Sequence, residues 1–219
     1  MRYIALIGDL IHSRRIEDRL SVQEHIKKVF SAISTDYSDC VVSRLTLTLG
    51  DEFQALLKPD KEIFLLLDDL EYRLGLPFRS GLGYGTLLTE IDPKISIGAD
   101  GEAFWNARSA IENVREKSWG GRSRVRIEGL AERQEVVNAL FLLSDAIKLD
   151  WTQLQKETFG ELLKRKIYSE SFEQKSLAED LSISQSSLSK RLSSSGIKLY
   201  LHARNVLGEE LEAWHARTE

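Results

Sequence analysis

Residues 45–57, LTLTLGDEFQALL, alternate apolar and polar side chains on either side of a short polar turn. A leucine occupies every second position before Gly50, and an apolar residue occupies every second position from Phe53 onward. A period of two is typical of a β-strand with one buried face. Gly50 followed by Asp51 predicts a two-residue type II′ turn, so we expect this segment to form a β-hairpin.

The periodicity of the other N-terminal segments predicts alternating strands and helices. They are a strand at 3–8, a helix at 22–33, a helix that Asp60 caps and Gly75 ends, a glycine-spaced strand at 77–88, a helix at 100–117 and a strand at 123–130. Glycines in a strand let another segment approach its backbone closely. The order is that of the split βαβ, or ferredoxin-like, arrangement. It predicts an α+β fold in which an antiparallel sheet carries its helices on one face.

The character of the chain changes after Gly129. All three prolines precede residue 100, and no later segment has the pattern of a strand. Residues 130–150 instead predict one long amphipathic helix. We therefore expect two domains, 1–130 and 131–219, the second of them all-α with its first helix as a connector.

Composition and charge exclude several classes of protein. The chain has 219 residues and 42% hydrophobic content, enough for one ordinary domain and a small one, and it lacks an apolar run long enough to span a membrane. Its N-terminus lacks the pattern of a signal peptide, and the single cysteine, Cys40, fits a reducing cytoplasm. The net charge of −4 means that any contact with nucleic acid must come from a local basic patch. The four histidines lack metal-ligand spacing, which disfavours a zinc site.

The segment QKSLAEDLSISQSSLSKRLSSSG, residues 174–196, has the apolar pattern of a helix-turn-helix. Its leucines and isoleucine would fill the core between the helices, and Ala178 stands where only a small side chain fits. Over about two dozen residues the segment resembles phage-repressor and MarR-like helix-turn-helix sequences, which predicts a helix-turn-helix or winged-helix-like second domain. The turn usually carries glycine, whereas this chain has Ser182.

The second helix of this motif has a polar face without acids, which is suited to double-stranded DNA. Hydroxyl and amide groups can reach base edges or phosphates, and the cations can pair with phosphates. The candidate DNA-binding residues are Gln185, Ser186, Ser187, Ser189, Lys190 and Arg191. A single module with so few cations binds weakly, so we expect a homodimer. The alternative is a helical bundle or dimerisation domain whose exposed face is rich in serine.

Two acids follow predicted strands at points that the split βαβ arrangement brings together. Asp9 comes directly after the first strand, and Asp51 lies at the tip of the hairpin. Neighbouring carboxylates repel each other unless a divalent cation lies between them, and Mg²⁺ or Mn²⁺ takes one or two carboxylates together with nucleotide phosphates. Two such ions can hold the attacking and leaving oxygens of a phosphoryl transfer. The alternative is that each acid only solvates a turn.

Three short motifs resemble the catalytic palm shared by class III nucleotide cyclases and GGDEF diguanylate cyclases. They are a strand that ends at Asp9, LGDEF at 49–53 and GADGEAFWNARSAIE at 98–112. The resemblance covers roughly residues 3 to 128 and implies a palm fold with bound Mg²⁺ or Mn²⁺. It also implies that Asp9 and Asp51 are metal ligands, with Glu52 as an auxiliary ligand and the Leu10 carbonyl as a further one.

The late helix departs from the cyclase pattern. Those cyclases place Asn and Arg four residues apart to stabilise the transition state. Here Asn106 is followed four residues later by Ala110, while Arg108 is only two residues away. Removing charge stabilisation of this kind typically costs about a hundredfold or more in rate. Whether the chain is an active nucleotidyl cyclase or transferase is therefore left open.

The remaining features of the first domain suit a nucleotide. DLIHSRR, residues 9–15, offers backbone amides after Asp9 and side chains that can hold phosphates. The candidate nucleotide-binding residues are Ser13, Arg14, Arg15 and Arg108. The alternative is that Arg14, Arg15 and Arg19 only pair with Glu17 and Asp18 on a solvated helix start.

The combination of IGDLIHSRRI, LGDEF, the late helix and a terminal helix-turn-helix resembles the bacterial SatD family, which implies a cytoplasmic protein with a regulatory role. The leading hypothesis is a DNA-binding regulator whose palm holds a nucleoside triphosphate or signalling nucleotide through a metal and biases the spacing of the recognition helices in a dimer. One rival is an active nucleotidyl cyclase or transferase. The other is a DNA-binding regulator whose palm is only a dimerisation scaffold.

Overall fold

A computed structural model gives the architecture and describes residues 1–11, 19–48 and 50–218, with Arg19 as backbone only. Its strands are β1 (Tyr3–Leu10), β2 (Val41–Leu47), β3 (Glu52–Leu57), β4 (Phe78–Gly85) and β5 (Val125–Glu128). Its helices are α1 (Arg19–Asp36), α2 (Glu62–Leu74), α3 (Glu102–Glu116), α4 (Gln134–Leu149), α5 (Gln153–Lys164), α6 (Gln174–Asp180), α7 (Gln185–Ser195) and α8 (Ile197–Thr218). The predicted order of elements in the first 130 residues is confirmed.

The strands form one five-stranded sheet in the order β2-β3-β1-β4-β5. The first four strands pair antiparallel, with β1 between β3 and β4, as a split βαβ arrangement requires. β5 pairs parallel to β4 at the edge. The sheet is therefore mixed, and the expectation of a purely antiparallel sheet was wrong at that edge.

Helices cover both faces of the sheet, which corrects the expectation of helices on one face. Side chains of β1 alternate between the two faces. Ile4 and Leu6 belong to the large core that includes α1 and α2, whereas Ala5 and Ile7 pack against α3. The continuous apolar run YIALI in β1 is typical of a strand that is buried on both faces.

The glycines of β4 bring α3 very close to the sheet, as their spacing predicts. A Cβ atom on Gly81 would lie 2.3 Å from the Ala107 carbonyl oxygen, and one on Gly83 would lie 2.0 Å from that of Ala103. No larger side chain fits at such distances, so glycine at these positions sets the packing distance between helix and sheet.

The hairpin between β2 and β3 has a longer turn than predicted. The Thr48 amide donates to the Glu52 carbonyl oxygen at 2.9 Å, which leaves three residues in the loop. Leu49, one of them, lies outside the described residues. Gly50 has φ +70°, a left-handed conformation that favours glycine, so the need for glycine was predicted correctly although the turn type was wrong.

Helix α4 packs on β5, α5 and α8 pack on α2, and α6 and α7 pack on each other with α7 against α5 and α8; all of them share one continuous hydrophobic core with the sheet. The rings of Phe64 on α2 and Phe141 on α4 lie 5.4 Å apart. On β5, the Ile127 amide donates to the Asn138 side chain at 2.8 Å, and the Asn138 amide group donates back to the Ile127 carbonyl at 2.9 Å. The core thus continues across the predicted boundary near Leu130, which is itself buried.

Within the part of the chain that the structure describes, no helix is both long enough and apolar enough to cross a bilayer.

Candidate functional site

The predicted acids lie at the carboxyl end of the central strand β1. Asp9 is the penultimate residue of that strand and is 7% exposed. Its cross-strand neighbours are Glu52 on β3 and Arg79 on β4. Residues directly opposite each other on adjacent strands point to the same face of a sheet. These three side chains therefore share the face that α3 covers.

Three arginines hold the two acids. Arg79 Nη2 lies 2.9 Å from Asp9 Oδ2. Arg108 on α3 binds both carboxylate oxygens of Glu52, at 2.7 and 2.9 Å. Arg115, two helical turns further along α3, lies 3.4 Å from an oxygen of each acid. We call these five residues the acid–arginine cluster.

The cluster holds guanidinium groups that an anion can reach. Hydrogen bonds from Arg108 lower the pKa of Glu52, against the opposing effect of burial, so that this carboxylate stays ionised at neutral pH. Within the cluster three guanidinium groups face two carboxylates, and the pKa of Arg108 is raised by its hydrogen bonds to Glu52 and also by the nearby charge of Glu112. The Nε of Arg79 is buried and has no hydrogen-bond partner among the described residues. Because the side chains of Arg108 and Arg115 are 42% and 36% exposed, an anion from solvent can reach them.

The structure places the other predicted ligands beside the cluster or outside the described residues. Asp51 lies in the turn, and its carbonyl oxygen accepts a hydrogen bond from the Leu10 amide at 3.1 Å. Glu52, rather than Asp51, is the residue directly opposite Asp9. Leu10 is 3% exposed, with its side chain in the large core. The remaining candidates, Ser13, Arg14 and Arg15, lie outside the described residues.

The cluster could bind a divalent cation only if further ligands, such as phosphate oxygens, were also present. Among the described residues, no three His, Cys, Asp or Glu side chains are grouped closely enough to hold a metal ion. The two carboxylates of the cluster are already bound by guanidinium groups. A Mg²⁺ or Mn²⁺ ion would therefore need phosphate oxygens both to complete its coordination and to draw the arginines away.

Asn106 has a structural role at the opposite end of β4. Its side-chain amide donates to the Tyr84 carbonyl oxygen at 2.9 Å. This hydrogen bond fixes α3 against the sheet, and it agrees with the absence of a cyclase-type Asn and Arg pair from the sequence.

Sequence reasoning missed Arg79 and Arg115. Arg79 stands two residues before Gly81 in the glycine-spaced strand, and the period of two places both on the face that α3 covers. Arg115 follows Arg108 at a spacing of two helical turns. Both signals are local, but only the strand register shows that the arginines converge on Asp9.

The predicted recognition helix corresponds to α7. A four-residue turn joins α6 to α7, and Ser182 in that turn has φ +52°, the conformation for which glycine is the usual residue. The hydroxyl of Ser184 caps α7 by accepting from the Ser187 amide at 3.2 Å. Leu188 and Leu192 are buried, as predicted for the underside of this helix.

The six candidate DNA-binding residues do not all face solvent. Gln185, Ser186, Ser187, Ser189 and Lys190 are exposed. Arg191 is half-buried, and its Nη1 donates to the Thr158 hydroxyl at 3.1 Å and the Leu154 carbonyl at 3.3 Å, both on α5. Arg191 is thus engaged in packing α7 against α5, and Lys190 is the one exposed cation within α7, all of which the structure describes.

Comparisons with known proteins give a family and weak structural likenesses. The family model described as the SatD family matches residues 3–211. A structure of a bacterial light-regulated adenylyl cyclase is 14% identical with a TM-score of 0.42, and it covers 58% of this chain. A second structure with that description is 13% identical with a TM-score of 0.40, and it covers 57% of this chain and 74% of its own. The chain spans only 43% of the first structure, and both TM-scores are too low to carry an argument. A search of curated proteins gave no match.

Proposed function

The chain belongs to the SatD family, and from the geometry at the end of β1 we propose that it binds the phosphate chain of a nucleotide there, together with a divalent cation. The observation that carries the proposal is the acid–arginine cluster itself, in which three guanidinium groups converge and two of them, Arg108 and Arg115, are partly exposed. Guanidinium groups bind phosphate oxygens in pairs of parallel hydrogen bonds, so several of them at a partly open site can hold a polyphosphate.

The same cluster explains why phosphate and cation would bind together. A phosphate chain would take the guanidinium groups of Arg108 and Arg115 and leave Asp9 and Glu52 free for Mg²⁺ or Mn²⁺. Asp51 and the carbonyl of Leu10 are further candidate ligands, with Ser13, Arg14 and Arg15 as candidate phosphate contacts. A nucleoside triphosphate and a signalling nucleotide both carry the required phosphates.

We propose binding rather than turnover. The Asn106 amide is committed to the Tyr84 carbonyl at 2.9 Å, so it is not available to stabilise a transition state at the cluster. The cation would shield the negative charge of the phosphates, while the residues of the chain orient them.

Titration calorimetry on the full chain tests this proposal. ATP and GTP would each be titrated with and without Mn²⁺, and we expect binding that requires the cation. Arg108→Gln removes a charge-assisted contact of about 1.5–3 kcal/mol and should weaken binding by about ten- to a hundredfold. Arg126→Gln is the matched control, because Arg126 is a β5 residue that pairs with Glu128 at 2.9 Å and is not part of the cluster. Absence of cation-dependent binding would refute the proposal, as would equal effects of the two substitutions.

A second candidate function is recognition of double-stranded DNA by α6 and α7. The exposed, acid-free face of α7, its serine cap and the left-handed turn at Ser182 support it. With Lys190 as the exposed cation of α7, one copy would bind weakly, so we propose a homodimer. The packed core shared by α2, α4 and α8 connects the sheet to the C-terminal helices. Through it, nucleotide binding at the sheet could change the distance between the two α7 helices of a dimer.

DNA binding can be tested by its dependence on salt. Lys190→Ala should weaken binding to random duplex DNA and lower the slope of log affinity against log salt by about one. Lys94→Ala removes the same charge from an exposed position within residues 1–130, which we call the sheet domain, and should leave that slope unchanged. If the wild-type chain shows no salt-dependent binding to duplex DNA, α7 is not a DNA-binding helix.

A further inference from the structure

A cavity of about 530 Å³ lies between the sheet domain and the C-terminal helices. Its walls come from α2, the segment that leads into β4, the start of β5, helices α4 and α5, and Arg204 on α8. Phe78 and Val125 line it and belong to the large core, so the cavity opens on the face of the sheet opposite to the acid–arginine cluster. Its volume is within the range of about 300–1,000 Å³ that is usual for small-molecule sites.

Aromatic side chains form much of the cavity wall. Tyr72, Phe78, Trp151 and Phe159 all line it, and the rings of Trp151 and Phe159 lie 4.9 Å apart. Flat rings offer their faces and edges to another flat ring at little cost in conformational entropy. The wall therefore suits a planar aromatic molecule better than a flexible aliphatic one.

The acids at the base of the cavity already have positively charged partners. Lys148 Nζ lies 2.5 Å from Asp68, and Arg204 Nη2 lies 2.5 Å from Asp145. Glu71, which also lines the cavity, shares Lys148 with Asp68, so Lys148 and Arg204 are both engaged by acids and Arg124 is the guanidinium group left for a ligand.

Two guanidinium groups at the cavity retain donors without partners. Arg124 makes no ion pair with any described residue, and its Nε is buried without a hydrogen-bond partner. The Nε of Arg204, a residue only 4% exposed, also has no partner within the described chain. Both Nε atoms are buried beyond the reach of a ligand, so an anion in the cavity would bind the terminal guanidinium nitrogens of Arg124, which donate to no described residue.

We propose that this cavity binds a small planar aromatic molecule that carries one anionic group. The ring lies against Tyr72, which is 40% exposed, with Trp151 and Phe159 buried in the cavity wall, and the anionic group accepts hydrogen bonds from Arg124. The proposal is independent of nucleotide binding at the acid–arginine cluster, because the two sites lie on opposite faces of the sheet and share no residue.

Calorimetry with three probes on the full chain tests both parts of this proposal. The probes are 1-naphthoate, its uncharged analogue 1-naphthamide and cyclohexanecarboxylate, which has the charge without the flat ring. We expect 1-naphthoate to bind at least about tenfold more tightly than either of the others. Equal affinity for all three, or no binding of 1-naphthoate, would overturn the proposal.

Substitutions then locate the binding. Arg124→Gln should weaken 1-naphthoate about ten- to a hundredfold and leave 1-naphthamide unchanged. Arg122→Gln is the matched control, because Arg122 is two residues away and pairs with Asp150 at 3.0 Å on the surface. Leu76→Trp places a large ring on the cavity wall and should weaken 1-naphthoate about tenfold while circular dichroism stays native. Undiminished binding to both Arg124→Gln and folded Leu76→Trp would place the probe elsewhere and refute the assignment.

Discussion

Asp68→Asn tests whether the sheet domain and the C-terminal helices form one cooperative unit. Asp68 on α2 is 5% exposed and accepts hydrogen bonds from three groups outside that helix. They are Lys148 Nζ at 2.5 Å, the Tyr168 hydroxyl at 2.5 Å and the Tyr200 hydroxyl at 2.8 Å. Burial by itself raises the pKa of Asp68, but the positive charges of Lys148 and Arg204 outweigh it and keep that pKa below its ordinary value.

The expected loss of stability follows from the buried charge that the substitution leaves behind. Removing one partner of a buried ion pair costs about 3–5 kcal/mol. Lys148 keeps a second partner, Glu71, at 2.5 Å, so we expect the lower end, about 3 kcal/mol. For a chain of this size that corresponds to a decrease in melting temperature of about 6–12 °C. Asp150→Asn breaks a pair on the surface, where Asp150 is 67% exposed, and should cost less than about 1 kcal/mol.

Urea unfolding followed by circular dichroism and tryptophan fluorescence measures the free energies of unfolding. The two probes should give one coincident transition, because the core continues across residue 130. Adding Lys148→Met to Asp68→Asn should recover part of the loss, since the buried ammonium is then removed and only Glu71, which is 30% exposed, loses its partner. Equal losses from Asp68→Asn and Asp150→Asn, or separate unfolding of the two halves, would show that Asp68 does not join them into one unit.

Three further predictions concern the sheet, the turn before α7 and pH. Gly83→Ala should prevent stable folding, because its Cβ would lie 2.0 Å from the backbone of α3. The control Gly120→Ala has open space around it and φ +67°, so it should lower the free energy of unfolding in urea by only about 1–2 kcal/mol. Ser182→Gly should raise the unfolding midpoint by relieving φ +52°, a gain of about 0.5–1 kcal/mol, and the control Ser193→Gly within α7 should lower it by a similar amount. The folded-state pKa of Glu52 is lowered from 4.5, so its contribution to stability is present above that pH and is lost as the pH falls through the folded value. Glu52→Gln should therefore destabilise the protein more at neutral pH than under acidic conditions; an equal effect at both would count against the cluster geometry.

Local patterns predicted the elements of the sheet domain because each pattern lies within one element. The alternation at 45–57 identified a hairpin, and the glycines of β4 predicted the close approach that α3 makes. The turn length was wrong because the preference of Gly50 for a left-handed conformation is shared by several turn types. The second layer of helices was missed because an apolar strand such as β1 does not indicate which helix covers which face.

The site was predicted only in part because it depends on strand register. Asp9 and Glu52 meet as cross-strand neighbours, and a shift of one residue would have brought Asp51 opposite Asp9 instead. Arg79 reaches the same point from β4, far along the chain, and nothing local in the sequence marks that contact. The cluster can therefore be predicted only when the pairing of β1, β3 and β4 is known.

The most direct test of nucleotide binding is a crystal structure of the chain with a non-hydrolysable triphosphate and Mg²⁺. We predict that Arg108 and Arg115 leave the acids for phosphate oxygens, and that Asp9 and Glu52 take the cation. A structure in which Arg108 still holds both oxygens of Glu52, with the triphosphate elsewhere or absent, would contradict this prediction.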